Sequence, residues 1–283
     1  MSNQRVAVVT GASSGIGYET SLTLARNGFV TYATMRSLNK AENIKSAAEE
    51  EKLPLKIVQL DVTDDESVKD AMQSIISEAS GIDVLVNNAG YGLVGALEDL
   101  AMEEIKSQYG TNLFGVIRVT QAVLPIMRKQ KSGIIVNISS AAGRFAIPGQ
   151  SAYVSTKFAI EGLSESIAYE LEPFGINVVL IEPGIVKTSM TNNMVIAKKS
   201  QDPSSPYYRL IENAVSSIEH GLETRSSPDV VAKAVLKAVT SENPNLRYLA
   251  GKDIETWMEA KRSMSDEEFH KMMFGNPRKS YTK

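Results

Sequence analysis

Short apolar runs alternate with longer helix-forming segments along this 283-residue sequence, and that alternation constrains its fold more than any other feature. The predicted strands are Arg5–Thr10, Phe29–Met35, Leu55–Leu60, Ile82–Asn87, Gly133–Ser139, Asn177–Glu182 and Leu246–Ala250. The predicted helices are Gly15–Asn27, Ala41–Lys52, Asp65–Glu78, Ala101–Lys129, Ser151–Glu172 and a helix from a Ser227 cap to about Val239. Nearly continuous apolar strands linked by helices indicate a parallel sheet covered on both faces. We therefore predict a doubly wound α/β fold, with a mainly parallel seven-stranded sheet and helices on both faces.

The whole chain, residues 1–283, is expected to form a single domain of this type. Its core is predicted over about 4–187 and 227–251. The strand and helix patterns weaken between these parts, and QDPSSPYY has the Pro and Ser density of a mobile connection. We interpret about 188–226 as a lid over the substrate and about 252–283 as a C-terminal extension.

The composition disfavours several classes of site. The chain has no cysteine, which removes disulfides, thiolate catalysis and cysteine-bound zinc. His220 and His270 stand far apart without a metal-binding pattern, so no metal site is expected. A formal charge of −3 provides no basic footprint for nucleic acid. The N-terminal apolar run is too short for a secretory signal or a membrane span, so we expect a cytoplasmic protein.

A glycine-rich loop, TGASSGIG, joins the first predicted strand to the first predicted helix at residues 10–17. Glycines at Gly11, Gly15 and Gly17 allow a tight turn and a close approach of backbone N–H groups to a pyrophosphate, which the helix N-terminus also favours. The loop lacks the Gly-Lys-Ser/Thr ending of a phosphate-transfer loop, because Tyr18 follows Gly17. A dinucleotide is the predicted ligand, and a purely structural turn is the alternative.

Tyr153 and Lys157 are four residues apart within a predicted helix, so their side chains project on one side. A tyrosine is a poor base at neutral pH, but a nearby ammonium favours the phenolate and makes the residue a usable acid or base. The alternative is an ordinary tyrosine and lysine pair on a solvated helix face.

Together with other short motifs, these residues form a characteristic series. The series is T-G-x-x-x-G-x-G at residues 10–17, Asn87-Asn88-Ala89-Gly90, Asn112, Ser140, Tyr153-x-x-x-Lys157 and Pro183-Gly184 followed by Thr188. In order and spacing the sequence resembles the short-chain dehydrogenase/reductase family, strongly over about residues 5–190. The resemblance implies a Rossmann fold, a nicotinamide cofactor and hydride transfer between that cofactor and a carbonyl or alcohol carbon.

The resemblance also implies roles for the site residues. Tyr153 would exchange a proton with the substrate oxygen, Lys157 would bind the cofactor ribose and lower the tyrosine pKa, and Ser140 would hydrogen-bond the substrate oxygen. Asn112 would hold a water in a proton relay behind Lys157, although it could be an ordinary polar residue of a long helix. The predicted cofactor-binding set is Gly11, Ser13, Ser14, Gly15, Ile16, Gly17, Arg36, Asp61, Val62, Asn88, Ala89, Gly90, Tyr153, Lys157, Pro183, Gly184, Val186 and Thr188.

The second predicted strand ends at Arg36, where NAD-binding proteins of this type usually carry an acidic residue. Arg36 can form a bidentate pair with a 2′-phosphate, and Ser13 can add a hydroxyl donor. We therefore expect NADP(H) to be preferred over NAD(H), and a solvated Arg36 is the alternative. Asp61 and Val62 resemble the family's adenine-contact pair, and an exposed turn carboxylate is the competing interpretation.

The substrate pocket is expected beyond the carboxyl ends of the strands. Its predicted lining is apolar and includes Tyr91, Phe145 and Met190 beside Ser140 and Tyr153, although Met and Tyr in a lid could also be plain packing. YATMR and NNAGYGLVGALEDL resemble the branch with steroid and retinoid dehydrogenases, which implies a small hydrophobic carbonyl or alcohol substrate. The resemblance also implies a homodimer or homotetramer.

We predict an NADP(H)-dependent oxidoreductase. The alternatives are a non-catalytic dinucleotide-binding redox sensor and a glycine-loop methyltransferase. Relatives that act as sensors typically lose the tyrosine or the lysine, and this sequence keeps both. Epimerases and dehydratases share the fold and parts of the motif set, so the reaction type stays open at this point.

Overall fold

The computed structural model describes residues 4–187, 194–220 and 226–275. Its strands are β1 (Val6–Val9), β2 (Val30–Met35), β3 (Leu55–Gln59), β4 (Val84–Asn87), β5 (Leu93–Val94), β6 (Gly133–Ile138), β7 (Ile176–Pro183), β8 (Val195–Ile196) and β9 (Arg247–Ala250). Seven of them form one parallel sheet in the order β3-β2-β1-β4-β6-β7-β9. The prediction of a seven-stranded Rossmann-type sheet is confirmed.

Helices cover both faces of this sheet. They are α1 (Gly15–Arg26), α2 (Glu42–Glu50), α3 (Asp65–Glu78), α4 (Met102–Tyr109), α5 (Gly115–Gln130), α6 (Ser151–Leu171), α7 (Tyr208–His220), α8 (Pro228–Thr240), α9 (Lys252–Ser263) and α10 (Asp266–Phe274). Apolar side chains of α1, α2 and α8 pack on one face, and those of α3, α5 and α6 pack on the other. Burial of both faces explains why the strands are almost uniformly apolar. Within the described residues, no helix has the length and apolar content needed to cross a membrane.

The helix predicted over residues 101–129 is not uniform. It consists of α4 and α5 joined by a π-helical turn at Gly110–Phe114. The apolar spacing of a helix continues through this turn, so the sequence pattern does not reveal the change in hydrogen bonding. Single π-turns inside α-helices are frequent at functional sites, and this one contains Asn112.

Some described elements were absent from the prediction. Strands β5 and β8 form a separate two-stranded parallel sheet, α7 falls within the predicted lid, and α9 and α10 fall within the predicted C-terminal extension. The Ser227 cap was predicted correctly, because its side chain accepts a hydrogen bond from the Asp229 backbone N–H.

The sheet order reverses between β1 and β4, which are neighbours although β2 and β3 intervene in the sequence. At such a point the connections after the two strands leave toward opposite faces and open a crevice at the carboxyl ends. The glycine loop follows β1 and the Asn88-Ala89-Gly90 segment follows β4. The fold therefore brings these two predicted motifs to one crevice.

Candidate active site

The backbone of the glycine loop has φ values and close contacts that favour glycine. Gly11 and Gly15 have φ values of +68° and +60°, in the left-handed region that favours glycine. Gly17 lies in the first turn of α1, and a Cβ at this position would lie 2.5 Å from the Gly11 carbonyl oxygen and still closer to the Asn88 side-chain nitrogen. The loop therefore forms a cradle at the N-terminus of α1, and its backbone and dipole suit a pyrophosphate.

The end of β4 holds this cradle in place. The Asn88 side-chain amide donates to the carbonyl oxygens of Thr10 and Gly11 at 2.9 and 3.2 Å. The Thr10 hydroxyl oxygen accepts from the backbone N–H groups of Asn88 and Ala89, both at 3.0 Å. Thr10, Asn88 and Ala89 thus determine the distance between the two walls of the crevice.

Asn112 lies in the π-helical turn and is buried against the same segment. Its Oδ1 accepts from the Tyr91 backbone N–H at 3.1 Å, and its amide donates to the Tyr91 carbonyl at 2.9 Å. A Cβ at Gly90 would lie 3.2 Å from Asn112 Oδ1. The side chain of Asn112 therefore fixes the chain direction after Gly90.

Ser140, Tyr153 and Lys157 come together where β6 ends against α6. Tyr153 is half-buried, and its hydroxyl interacts with the Ser140 side chain, whose oxygen accepts from the Ala142 backbone N–H at 3.1 Å. Lys157 Nζ donates to the Ile138 carbonyl oxygen at 2.8 Å and lies 5.8 Å from the centroid of the Tyr153 ring. The adjacent Ser139 bonds to Glu161 instead, so the two serines, which are neighbours in the sequence, contact different side chains of α6.

Burial is the largest influence on the pKa values of Tyr153 and Lys157. It raises the pKa of Tyr153, and the Ser140 hydrogen bond lowers that pKa in part. Burial lowers the pKa of Lys157 to about 8, while the charge of Glu161 acts in the opposite direction. The protein groups alone therefore keep Tyr153 protonated at neutral pH, which differs from the expected lowering by Lys157. A protonated phenol is the form required of a proton donor.

Arg36 is exposed at the end of β2, and its carbonyl oxygen accepts from the Gln59 side chain at 3.1 Å. No hydrogen bond or ion pair engages its guanidinium group within the part of the chain that the structure describes. Asp61 Oδ1 accepts from the backbone N–H and hydroxyl of Thr63 at 2.9 and 2.7 Å, which closes a local turn. Val62 is buried beside Gly115.

The segment after β7 is anchored by the C-terminal part of the chain. The Gly184 N–H donates to the Ala250 carbonyl at 3.2 Å, and the Ile185 N–H donates to the Asp253 carboxylate at 2.6 Å. Val186 forms an isolated parallel bridge with Ser226. Asp253 is a functional candidate that the sequence interpretation missed, since its partner lies 68 residues away. Thr188 lies outside the described residues.

The predicted substrate residues have different environments. The Tyr91 hydroxyl hydrogen-bonds Ser107 at 3.0 Å. Phe145 is only 5% exposed, and its ring centroid lies 5.7 Å from Trp257 and 5.3 Å from Phe269. Phe145 therefore packs against α9 and α10, while Met190 lies outside the described residues.

Comparison with known proteins identifies a family for most of the chain. The profile of the short chain dehydrogenase family matches residues 5–199. An uncharacterized oxidoreductase YusZ of Bacillus subtilis is 41% identical over 89% of this chain and 91% of its own. A 3-ketodihydrosphingosine reductase of Bacteroides thetaiotaomicron is 38% identical over 87% and 88% of the two chains. Human retinol dehydrogenase 8 is 35% identical over 97% and 92%.

Solved structures share the fold over nearly the full length. A short-chain dehydrogenase from Streptomyces avermitilis has a TM-score of 0.80 and 31% identity, over 98% of this chain and 99% of its own. A Thermococcus sibiricus alcohol dehydrogenase complexed with 5-hydroxy-NADP has a TM-score of 0.70 and 27% identity, over 87% and 95%. A Burkholderia phymatum protein in complex with NAD has a TM-score of 0.81 but 21% identity, over 97% and 96%, which supports the fold alone.

Proposed function

Because this chain belongs to the short-chain dehydrogenase/reductase family, we propose that it is an NADP(H)-dependent oxidoreductase that interconverts a carbonyl and an alcohol. The observation that carries the proposal is the half-buried Tyr153, whose hydroxyl interacts with the Ser140 side chain, with the buried Lys157 one helical turn away. Such an arrangement places a proton donor, a hydrogen-bond partner and a cation in one place. These are the groups that carbonyl reduction requires from the protein.

The crevice fits a dinucleotide. The glycine cradle at the N-terminus of α1 would hold the pyrophosphate through backbone N–H groups, together with Ser13, Ser14 and Ile16. Asp61 and Val62 would contact the adenine, and Gly90 would allow a close approach. The segment from Pro183 to Val186 would contact the nicotinamide, and Asp253 supports it through the Ile185 N–H.

When bound, NADP(H) supplies or accepts the hydride. In the reductive direction, Tyr153 donates its phenolic proton to the carbonyl oxygen while Ser140 hydrogen-bonds that oxygen. In the oxidative direction, the Tyr153 phenolate, stabilised by the Lys157 ammonium, accepts the alcohol proton and becomes the phenol. The raised pKa of Tyr153 keeps its proton in place before the reductive reaction.

Asn112 is proposed to support the relay through its backbone. Its side-chain amide is used by both backbone groups of Tyr91, so a relay water would be held by a carbonyl of the π-helical turn instead. This assignment makes the Asn112 side chain a structural requirement for that turn.

Arg36 is proposed as the residue that selects NADP(H). Replacing Arg36 with alanine should weaken NADPH binding roughly 10- to 100-fold, because a charge-assisted hydrogen bond to the 2′-phosphate contributes about 1.5–3 kcal/mol. NADH affinity should change little, and calorimetric titration measures both. Arg128→Ala is the matched control, because Arg128 is exposed near the C-terminal end of α5, just before β6 begins, whereas Arg36 follows the carboxyl end of β2. Equal loss of NADPH and NADH affinity in Arg36→Ala would contradict the assignment.

The substrate is proposed to be a small hydrophobic ketone, aldehyde or alcohol. Lid residues Met194, Ile196 and Tyr207 pack with the buried Val94 and Ile211, so the described part of the lid is apolar toward the protein. Two of the relatives are named for a ketodihydrosphingosine and for retinol, which are both hydrophobic. These names support a lipid-like substrate class for this chain.

A non-catalytic redox sensor is the alternative function. NADPH oxidation in the presence of long-chain ketones and retinaldehyde, and NADP⁺ reduction in the presence of the matching alcohols, separates the two functions. The enzyme is expected to turn over at least one pair. A protein that binds NADPH and turns over none would favour the sensor.

We also propose a cytoplasmic homo-oligomer that pairs through α5 and α6. Phe114, just before α5, and Phe158 on α6 are 52% and 46% exposed and could form this contact, whereas Val116 and Ile160 on the same helices are buried within the chain. Phe158→Glu should convert the dimer to a monomer in light scattering, because it places a charge in a buried apolar contact. Phe174→Glu, which also replaces an exposed phenylalanine, should leave the oligomer mass measured by light scattering unchanged. A wild-type monomer, or a Phe158→Glu dimer, would contradict this arrangement.

A further inference from the structure

Glu161 is a buried carboxylate to which the proposed proton transfer assigns no role. It lies one turn beyond Lys157 on α6, so Tyr153, Lys157 and Glu161 share one helix face. Its side chain is only 8% exposed. A buried carboxylate is costly unless it is paired, so its contacts should reveal what it does.

The end of β6 connects Glu161 to the site. Three successive residues there each contact a polar side chain of α6. The Ile138 carbonyl accepts from Lys157 Nζ at 2.8 Å, the Ser139 hydroxyl donates to Glu161, and the Ser140 side chain interacts with the Tyr153 hydroxyl. The position of Glu161 is therefore tied to the same strand end that positions the lysine and the tyrosine.

Several charged groups surround Glu161 from neighbouring elements. They are Lys157 and Glu165 on α6, Glu182 on β7, Arg247 on β9, and Arg144 after β6, which acts through Glu182. Arg247 lies 3.0 Å from Glu161 Oε2 and 3.0 Å from Glu182 Oε1. Arg144 Nη1 lies 2.8 Å from the same Glu182 oxygen. The two guanidinium groups offset the repulsion between the two buried carboxylates.

Glu161 and Lys157 are one turn apart on α6 and contact adjacent residues at the end of β6, so the carboxylate lies close to the ammonium without forming an ion pair among the described contacts. Burial lowers the pKa of Lys157 to about 8, and the charge of Glu161 is the interaction that raises it. A lysine with this pKa begins to lose its proton just above neutral pH, so a neighbouring anion that favours the ammonium affects its charge in that pH range. Burial and Glu182 raise the pKa of Glu161 itself, whereas Ser139 and Arg247 lower it.

We propose that Glu161 is a positioning residue that keeps Lys157 charged and, through Ser139, aligned with the end of β6. Its effect on the reaction rests on the proposed function of Lys157, but its effect on the charge of Lys157 does not. Glu161 itself touches neither the tyrosine hydroxyl nor Ser140 in the described contacts.

The test is nitrogen-15 NMR titration of the lysine side chains in the full-length protein, with Lys157→Met identifying the Lys157 signal. In Glu161→Gln the midpoint of the Lys157 titration should fall by about one pH unit, because an anion that favours the ammonium form of Lys157 is removed. The alkaline limb of kcat should move to lower pH by the same amount, while kcat near pH 6 stays close to that of the wild type.

Glu165→Gln is the matched control, because it removes another carboxylate from the same helix and from the same arginine, 2.6 Å away. It should leave the Lys157 midpoint in place. If Glu161→Gln does not fold, Glu161→Asp is measured instead. Its carboxylate is one methylene farther from Lys157, and the proposal alone expects this change to lower the midpoint of the Lys157 titration. An unchanged midpoint, an equal fall in Glu165→Gln, or a loss of kcat that is uniform in pH overturns the proposal. A wild-type protein that lacks turnover but shows the shift would reject the proposed function and keep the role of Glu161.

Discussion

Replacing Tyr153 with phenylalanine should lower kcat by roughly 10²–10⁴-fold, the usual contribution of a positioned general acid or base. The substitution removes only the hydroxyl, so the ring still fills its half-buried site beside Lys157. The glycine cradle and Arg36 are untouched, and the Kd for NADPH should therefore change little. Steady-state turnover with a hydrophobic carbonyl gives kcat, and calorimetric titration gives the Kd.

Tyr169→Phe is the matched control for this result, because Tyr169 lies on the same helix and is 80% exposed. Its kcat should equal that of the wild type. Turnover retained in Tyr153→Phe would contradict the assignment of Tyr153 as proton donor. A parallel loss of turnover and NADPH binding would instead indicate that the hydroxyl supports the fold of the site.

Replacing Gly17 with alanine should have the second large effect. The added Cβ would lie 2.5 Å from the Gly11 carbonyl oxygen, so the loop backbone or Asn88 must move. Overpacking of this kind costs about 1–3 kcal/mol of stability. The displaced loop should also weaken NADPH binding by tenfold or more, since about 1.4 kcal/mol of lost contact is sufficient. Thermal unfolding and calorimetric titration measure the two effects separately.

Gly162→Ala provides the control for Gly17→Ala. Gly162 lies within α6, and an added Cβ there meets nothing within 4 Å among the described residues. Removing a helical glycine should stabilise the protein by about 0.5–1 kcal/mol and leave NADPH affinity unchanged. If Gly17→Ala binds NADPH as the wild type does, the loop does not hold the pyrophosphate in the proposed way.

The sequence predicted the elements that depend on local patterns. The strands and helices around the glycine loop are placed within a few residues, because apolar periodicity and glycine breaks are local signals. Helix geometry alone indicates that the side chains of Tyr153 and Lys157 project on one side of the helix.

Features that depend on distant contacts were not predictable in this way. Strands β5 and β8 pair across about one hundred residues, and Asp253 reaches the segment after β7 from the C-terminal part of the chain. Arg247 meets Glu161 only because β9 lies next to β7. The raised pKa of Tyr153 results from burial, which a four-residue spacing does not indicate.

Calorimetric titration of the wild-type protein with NADPH and, separately, with NADH tests the central claim most directly. The account predicts saturable binding of NADPH with one site per chain and a weaker affinity for NADH. Binding of neither cofactor would contradict it, because the glycine loop would then be scaffold and Tyr153 would have no hydride chemistry to complete.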